Sequence, residues 1–94
     1  MPHLLVRHRV EDYARWRPIF DETASVREQY GSKGGQVFRS ADEPADVVML
    51  FEVDDLDRAR EFVGSDDLRE AMQRAGVVGR PDVFFLNDED PTPT

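Results

Sequence analysis

The sequence predicts an α+β fold in which four strands and two helical regions follow one another in the order βαββαβ. Four short segments have the alternating or continuous apolar residues of strands, and two longer segments repeat apolar residues at helical spacing. The 94 residues suffice for one small domain, and 39% hydrophobic with 34% charged residues is typical of a globular chain. The order is that of the ferredoxin-like arrangement, a four-stranded antiparallel sheet with helices on one face.

The first predicted strand covers residues 3–10 and is followed by a helical region. One face of the strand carries Leu4, Val6, His8 and Val10, and we expect this face to contact the helices. Asp12 is the expected N-cap of the helix, which reaches about Tyr30. Because a proline lacks the backbone N–H and clashes with the preceding turn, Pro18 predicts a kink or break near residues 16–18.

The middle of the chain is predicted to form a hairpin. Residues 32–35 contain two glycines and are expected to be a flexible connector after Gly31. The second strand is expected over residues 36–40 and the third over 47–53. The third run is apolar on both faces, which is typical of an interior strand covered on both sides.

The second helical region has two parts, each with its own expected cap. Asp54 and Asp55 precede a helix that Gly64 interrupts, and residues 65–67 begin a second helix that ends at Gly76. The last strand is expected over residues 83–86. Residues 1–87 then form one domain, and the acidic tail 88–94 is expected to be disordered.

The charge and composition of the chain exclude several functions. Twelve basic and twenty acidic side chains give a net charge of −8, which leaves no basic face for nucleic acid. The absence of cysteine excludes disulfides, thiolate chemistry and Cys-ligated metals. No apolar run approaches the roughly 18–20 residues of a membrane span, and no signal-peptide pattern opens the chain. We therefore expect a cytoplasmic protein without a membrane partner.

The outer face of the predicted sheet needs a cover. An apolar sheet face left exposed usually marks an interface, and the simplest cover is the same face of a second copy. We therefore expect a homodimer. Arg7 and Arg9 project from this face, and we expect them to pair with carboxylates of the second copy.

Three segments together carry a resemblance to a known family: Asp12-Tyr13-x-x-Trp16-x-Pro18-x-Phe20, Ser32–Gly35, and Ser65–Met72 followed by Gly76-Val77. They resemble the dimeric α+β barrel superfamily, and in particular small proteins related to the antibiotic-biosynthesis monooxygenases, some of them cyclase-like. The resemblance covers the chain except its last seven residues. It implies that two sheets pair face to face in a dimer, that a ligand cavity lies between sheet and helices, and that no metal or flavin cofactor is needed.

The candidate site residues lie on the helix-facing side of the predicted sheet and on the helices above it. His8 is the candidate catalytic residue, because an imidazole among apolar side chains can serve as an acid, a base or a hydrogen-bonding group. The candidate walls of a ligand pocket are Trp16, Phe20, Phe51 and Met72. Each of the five is also explained by ordinary core packing.

A metal site is not expected. His3 and His8 are separated by an odd number of residues, so a regular strand points them to opposite faces. The acidic pairs at 42–43, 54–55 and 66–67 are explained by turns and helix caps.

Three functions stay open at this point. The first is a cofactor-independent monooxygenase or cyclase-like enzyme acting on a small flat aromatic or polyketide-like molecule. The second is a non-catalytic dimeric protein that binds a ligand or assists another protein. The third is a tautomerase using an N-terminal Pro2, which the hairpin over residues 41–45 argues against, because tautomerases contain parallel βαβ repeats.

Overall fold

The computed structural model describes residues 1–94 and contains four strands and four helices. The strands are β1 (His3–Val10), β2 (Ser32–Arg39), β3 (Asp46–Val53) and β4 (Val77–Leu86). The helices are α1 (Tyr13–Glu22), α2 (Ala24–Gln29), α3 (Leu56–Val63) and α4 (Asp66–Ala75). The strands form one antiparallel sheet in the order β2-β3-β1-β4. This confirms the predicted ferredoxin-like fold.

The inner face of the sheet carries the core, as the alternation of β1 predicts. Leu4, Val6, His8 and Val10 are buried, and the intervening Arg7 and Arg9 are exposed. Strand β3 is interior and buries alternate apolar residues in the same way, namely Val47, Met49, Phe51 and Val53. The helices cover this one face.

The predicted cap at Asp12 is confirmed, and the caps expected within residues 54–55 and 65–67 are Asp55 and Ser65. Their side chains accept hydrogen bonds from the backbone N–H groups of Ala14, Asp57 and Leu68, at 3.0, 2.8 and 3.2 Å. Gly76 ends α4 with a left-handed φ of 78°, a conformation that glycine adopts without strain. No helix is long and apolar enough to cross a membrane.

Of the kink or break predicted near residues 16–18, the break is wrong. Helix α1 runs through Pro18 to Glu22, and the break falls at Thr23. There the carbonyl oxygen of Phe20 accepts from Thr23 Oγ1 at 3.0 Å and from Arg27 Nη1 at 2.8 Å. The Thr23 backbone N–H donates to the same oxygen at 3.3 Å, so backbone and side-chain donors together bind this carbonyl where α1 ends and α2 begins at Ala24.

The predicted flexible connector over residues 32–35 is also wrong, because β2 begins at Ser32. The register between β2 and β3 shifts between Ser32 and Gly35. A Cβ atom on Gly35 would lie 2.1 Å from the backbone oxygen of Leu50. Glycine is thus required here by the close approach of β3, rather than by a flexible loop.

Strand β4 begins at Val77, six residues before its predicted start, and contains Pro81. A proline is tolerated there because β4 is an edge strand and because its pairing with β1 is irregular. Arg7 pairs with Asp82 and Arg9 with Val78, so three residues of β4 lie opposite His8. The result is a β-bulge beside His8.

The outer face of the sheet is apolar at its centre and charged at one end. Its apolar side chains, half-buried or exposed, are Leu5, Phe38, Val48, Leu50, Phe84 and Leu86. Arg7 lies 3.5 Å from Asp46 and 4.0 Å from Asp82, and Arg9 lies 3.3 Å from Glu43. Both arginines therefore have carboxylate partners within their own chain, and the expected pairing with carboxylates of a second copy stays a prediction.

The chain ends without another regular element. Residues 87–94 follow β4 with no helix or strand, and Asp88 lies 3.3 Å from the N-terminal amino group. Both partners of this ion pair are exposed. The disorder of residues 88–94 in solution stays a prediction.

Candidate functional site

A cavity of about 420 Å³ lies between the inner face of the sheet and the helices. It is in the size range of small-molecule sites, and fourteen of its twenty lining residues are hydrophobic. All five candidate site residues lie on its wall: His8, Trp16, Phe20, Phe51 and Met72. Residues far apart in the sequence are thus brought to one surface by β1, α1, β3 and α4.

His8 reaches the cavity from β1 and has no polar partner. The residue is 7% exposed, and neither Nδ1 nor Nε2 has a hydrogen-bond partner. Burial lowers the pKa of His8 from 6.5 to about 4, because a charged imidazolium is poorly solvated among apolar side chains. At neutral pH the ring is therefore uncharged, with one nitrogen that can accept and one that can donate a hydrogen bond.

Three aromatic side chains continue from His8 along the cavity wall. The rings of His8 and Trp16 form a T-shaped pair, with centroids 5.6 Å apart and planes at 82°. Trp16 stacks on Phe20 at 4.8 Å, and Phe20 lies 6.2 Å from Phe51. Helical spacing places Trp16 and Phe20 one turn apart on α1, which explains their stacking. Met72 is half-buried on α4 and lines the same cavity.

Four further polar or charged side chains, none of them a candidate site residue from the sequence, also line the cavity. They are Thr23, Arg27, Asp67 and Arg80. Arg27 could have been predicted at the site, because the helical spacing places it on the core-facing side of the helix. No sequence pattern indicates that Arg80 lines the cavity, because its position depends on the irregular pairing of β4 with β1.

No group of three or more His, Cys, Asp or Glu residues is arranged to hold a metal ion. His3 and His8 lie on opposite faces of β1, as their spacing predicts. Pro2 does not line the cavity, and the all-antiparallel sheet lacks the parallel βαβ repeats of a tautomerase. The topology therefore argues against the tautomerase alternative.

Solved structures with this fold share nearly the whole length of the chain. SnoaB from Streptomyces nogalater, a cofactor-independent oxygenase, superposes with a TM-score of 0.72 at 16% identity, covering 99% of this chain and 97% of SnoaB. A Bordetella bronchiseptica protein provisionally named an antibiotic biosynthesis monooxygenase gives a TM-score of 0.78 at 15% identity, with 94% and 96% covered.

The chain has the fold of the antibiotic biosynthesis monooxygenase-like proteins. Rv0793 from Mycobacterium tuberculosis has it too, with a TM-score of 0.67 at 15% identity and 97% and 98% of the two chains covered. No protein-family model matches the sequence, and no curated protein matches it significantly. At these identities the likeness shows the fold, and the activity has to be inferred from the site.

Proposed function

We propose that the chain is a cofactor-independent oxygenase or cyclase-like enzyme that acts on a small flat aromatic or polyketide-like molecule. The observation that carries the proposal is His8, whose two ring nitrogens are unpartnered at the wall of an apolar cavity. Both nitrogens are covered in this structure, so a neighbouring side chain must move before a bound molecule can bond to one of them. Such a bond would offset the cost of about 1–3 kcal/mol that an unpartnered buried polar group carries. The shared fold of SnoaB, a cofactor-independent oxygenase, supports the proposal.

The aromatic wall fits a flat ligand. In this proposal Trp16, Phe20, Phe51 and Met72 contact the faces of the ligand, and His8 contacts a polar or acidic group at its edge. Apolar walls with few convergent polar groups are typical of small-molecule sites. They also exclude water from a reactive carbanion.

Without a cofactor, the electrons that reduce dioxygen must come from the substrate. A methylene group flanked by aromatic rings meets this need, since CH₂ plus O₂ gives C=O plus H₂O with no further reductant. His8 takes one proton from the methylene, and the resulting carbanion forms a C–O bond with dioxygen. The peroxide takes the proton back from His8 and then loses water to form the ketone.

The pKa of His8 is compatible with this role. A pKa of about 4 keeps the imidazole neutral at pH 7 and able to accept a proton. The anion that forms beside it then stabilises the imidazolium by charge attraction, which offsets the desolvation that lowers the pKa in the empty cavity.

We also propose that the chain forms a homodimer through the outer face of its sheet. Phe38 and Phe84 are 51% and 54% exposed on this face, and the interior strand β3 leaves Val48 and Leu50 half-exposed there. The same face of a second copy would cover these side chains, since a two-fold interface is self-complementary.

The second candidate is a non-catalytic ligand-binding or accessory protein. It is favoured by the scarcity of acid–base groups, because His8 is the one titratable side chain among the buried lining residues. The same cavity then holds a ligand without changing it.

A binding and turnover assay separates the two candidates. Anthrone, a flat three-ring molecule with an activated methylene, is titrated while the fluorescence of Trp16 and the consumption of oxygen are followed. We expect quenching and oxygen uptake, both lost in His8→Leu and kept in the matched control His3→Leu, whose side chain lies on the outer face. Quenching without oxygen uptake favours the binding protein. A panel of flat aromatics that leaves Trp16 unquenched contradicts both.

A further inference from the structure

Most arginines of this acidic chain have a carboxylate within 4.0 Å, and four do not. The paired ones are Arg7, Arg9, Arg15, Arg17, Arg58, Arg69 and Arg74. Of the other four, Arg39 lies over the ring of Tyr13 and Arg60 over that of Phe85, outside the cavity. Arg27 and Arg80 both line the cavity. Two of the four arginines without a carboxylate partner thus line the candidate site.

Arg27 is half-buried and held in place by neutral groups. Its guanidinium carbon lies 3.8 Å from the ring centroid of Phe20 and 5.8 Å from that of Phe51. Nη1 donates to the Phe20 carbonyl oxygen at 2.8 Å and to Thr23 Oγ1 at 3.0 Å. Burial lowers the pKa of Arg27, since the charge is partly desolvated. The N–H groups at Nε and Nη2 donate no hydrogen bond to a protein atom and are therefore free to bind a ligand.

Arg80 reaches the same cavity from the β-bulge opposite His8. It stands between Gly79, whose φ is 74°, and Pro81, which also lines the cavity. The one carboxylate on the wall belongs to the exposed Asp67, which has no arginine within 4.0 Å. Since His8 is neutral, two arginines and one aspartate give the wall a charge of +1, in a chain whose net charge is −8.

We infer that the cavity selects flat aromatic molecules that carry an ionised oxygen, as a carboxylate or a phenolate, and that Arg27 and Arg80 bind that oxygen. The inference rests on the proposed function, which supplies the flat aromatic part. A guanidinium pairs with such an oxygen through charge-assisted hydrogen bonds, which are stronger than neutral ones. The rings of Phe20 and Phe51 beside Arg27 place the aromatic part of the ligand next to its charged part.

A matched pair of ligands tests the charge preference. 2-Naphthoate and 2-naphthamide have nearly the same shape and differ in charge, and their dissociation constants at pH 7.5 are measured by titration calorimetry. We expect naphthoate to bind at least about tenfold more tightly. Arg80→Gln and Arg27→Gln should each reduce this ratio severalfold, and Arg27→Lys, which keeps the charge, should retain part of it.

Arg60→Gln is the control, because Arg60 also lacks a carboxylate partner but lies outside the cavity. It should leave the ratio unchanged. Equal affinities for the two ligands overturn the inference, whereas the proposal that the cavity binds flat aromatic molecules is then retained. If Arg60→Gln and Arg80→Gln reduce the ratio of the two dissociation constants equally, the inference is also overturned, because the preference for naphthoate is then a general effect of charge. Failure of both ligands to bind overturns the inference together with the proposed function.

Discussion

At the scale of single residues, His8 is the feature that ordinary packing explains least. An imidazole in a core normally bonds through at least one nitrogen, whereas both nitrogens of His8 are buried without a partner. Trp16 packs against its ring at 5.6 Å and supplies an apolar neighbour. An unpartnered buried imidazole is expected to lower the stability of the fold, and the proposed acid–base role of His8 would explain why it stands at the cavity wall.

The lowered pKa of His8 predicts how stability depends on pH. The unfolded chain takes up a proton at His8 near pH 6.5, whereas the folded chain does so near pH 4. The contribution of the neutral His8 to the free energy of unfolding is therefore fully present above pH 6.5. As the pH falls towards 4, the free energy of unfolding decreases by up to about 3 kcal/mol. We expect His8→Leu to lose this dependence and to be at least as stable as the wild type at pH 7.5.

Urea unfolding at pH 7.5, 5.5 and 4.5 checks this prediction, with His3→Leu as the control that retains His8. The wild type and His3→Leu should lose stability together across this range, and His8→Leu should lose less. Parallel pH curves for all three proteins would contradict the buried, neutral state of His8.

At the scale of elements, β2 shows that glycines can indicate either a flexible loop or a strand that passes very close to its neighbour. Residues 32–35 have the composition of a loop, yet they form the start of a strand. Gly34 adopts a φ of 111°, and Gly35 passes so close to β3 that a side chain has no room. The requirement comes from the backbone of Leu50 and Phe51, which is distant in the sequence.

Gly35→Ala tests this close approach. A Cβ atom there would lie 2.1 Å from the Leu50 oxygen and 2.8 Å from the Phe51 Cα atom, so the two strands must shift. We expect a loss of about 1–3 kcal/mol in the free energy of unfolding, measured by urea denaturation. Gly64→Ala is the control, because its Cβ atom would meet nothing nearer than 3.7 Å. Equal stability of the two variants would show that β2 is mobile at Gly35.

At the scale of the whole molecule, the sheet has two apolar faces and the helices cover one of them. The inner face holds the core and the cavity, whereas the outer face exposes Phe38, Phe84 and Leu86. The ion pairs of Arg7 and Arg9 within the chain satisfy the charges on that face. A partner that covers the face therefore has mainly apolar surface to bury, which suits a second copy of the same sheet.

Light scattering at micromolar concentration tests the homodimer. The wild type should give about twice the chain mass of 10.8 kDa. Phe84→Asp introduces a charge among the exposed apolar side chains of the outer face, and its mass should fall to that of one chain. Ala14→Asp adds the same charge at an exposed position of α1 and should keep the dimer mass. A wild-type mass of one chain would remove the dimer proposal.

The sequence by itself determined the order of the elements, the buried face of β1, the cap at Asp12 and the short segments, 54–55 and 65–67, that contain the other two caps. These features depend on alternation, helical spacing and hydrogen bonds between residues two or three positions apart. Such signals are complete within a short segment. The same alternation predicted that His8 faces the helices.

The tertiary structure alone decided the early start of β2 and β4, the break at Thr23 and the cavity with its two unpaired arginines. A strand that contains Gly35 or Pro81 is stable because of the neighbour with which it pairs. Whether His8 meets a cavity or a packed core depends on how side chains from β1, β3, α1 and α4 fill the space between sheet and helices. Residues far apart in the chain determine the size of that space, so no local sequence pattern predicts it.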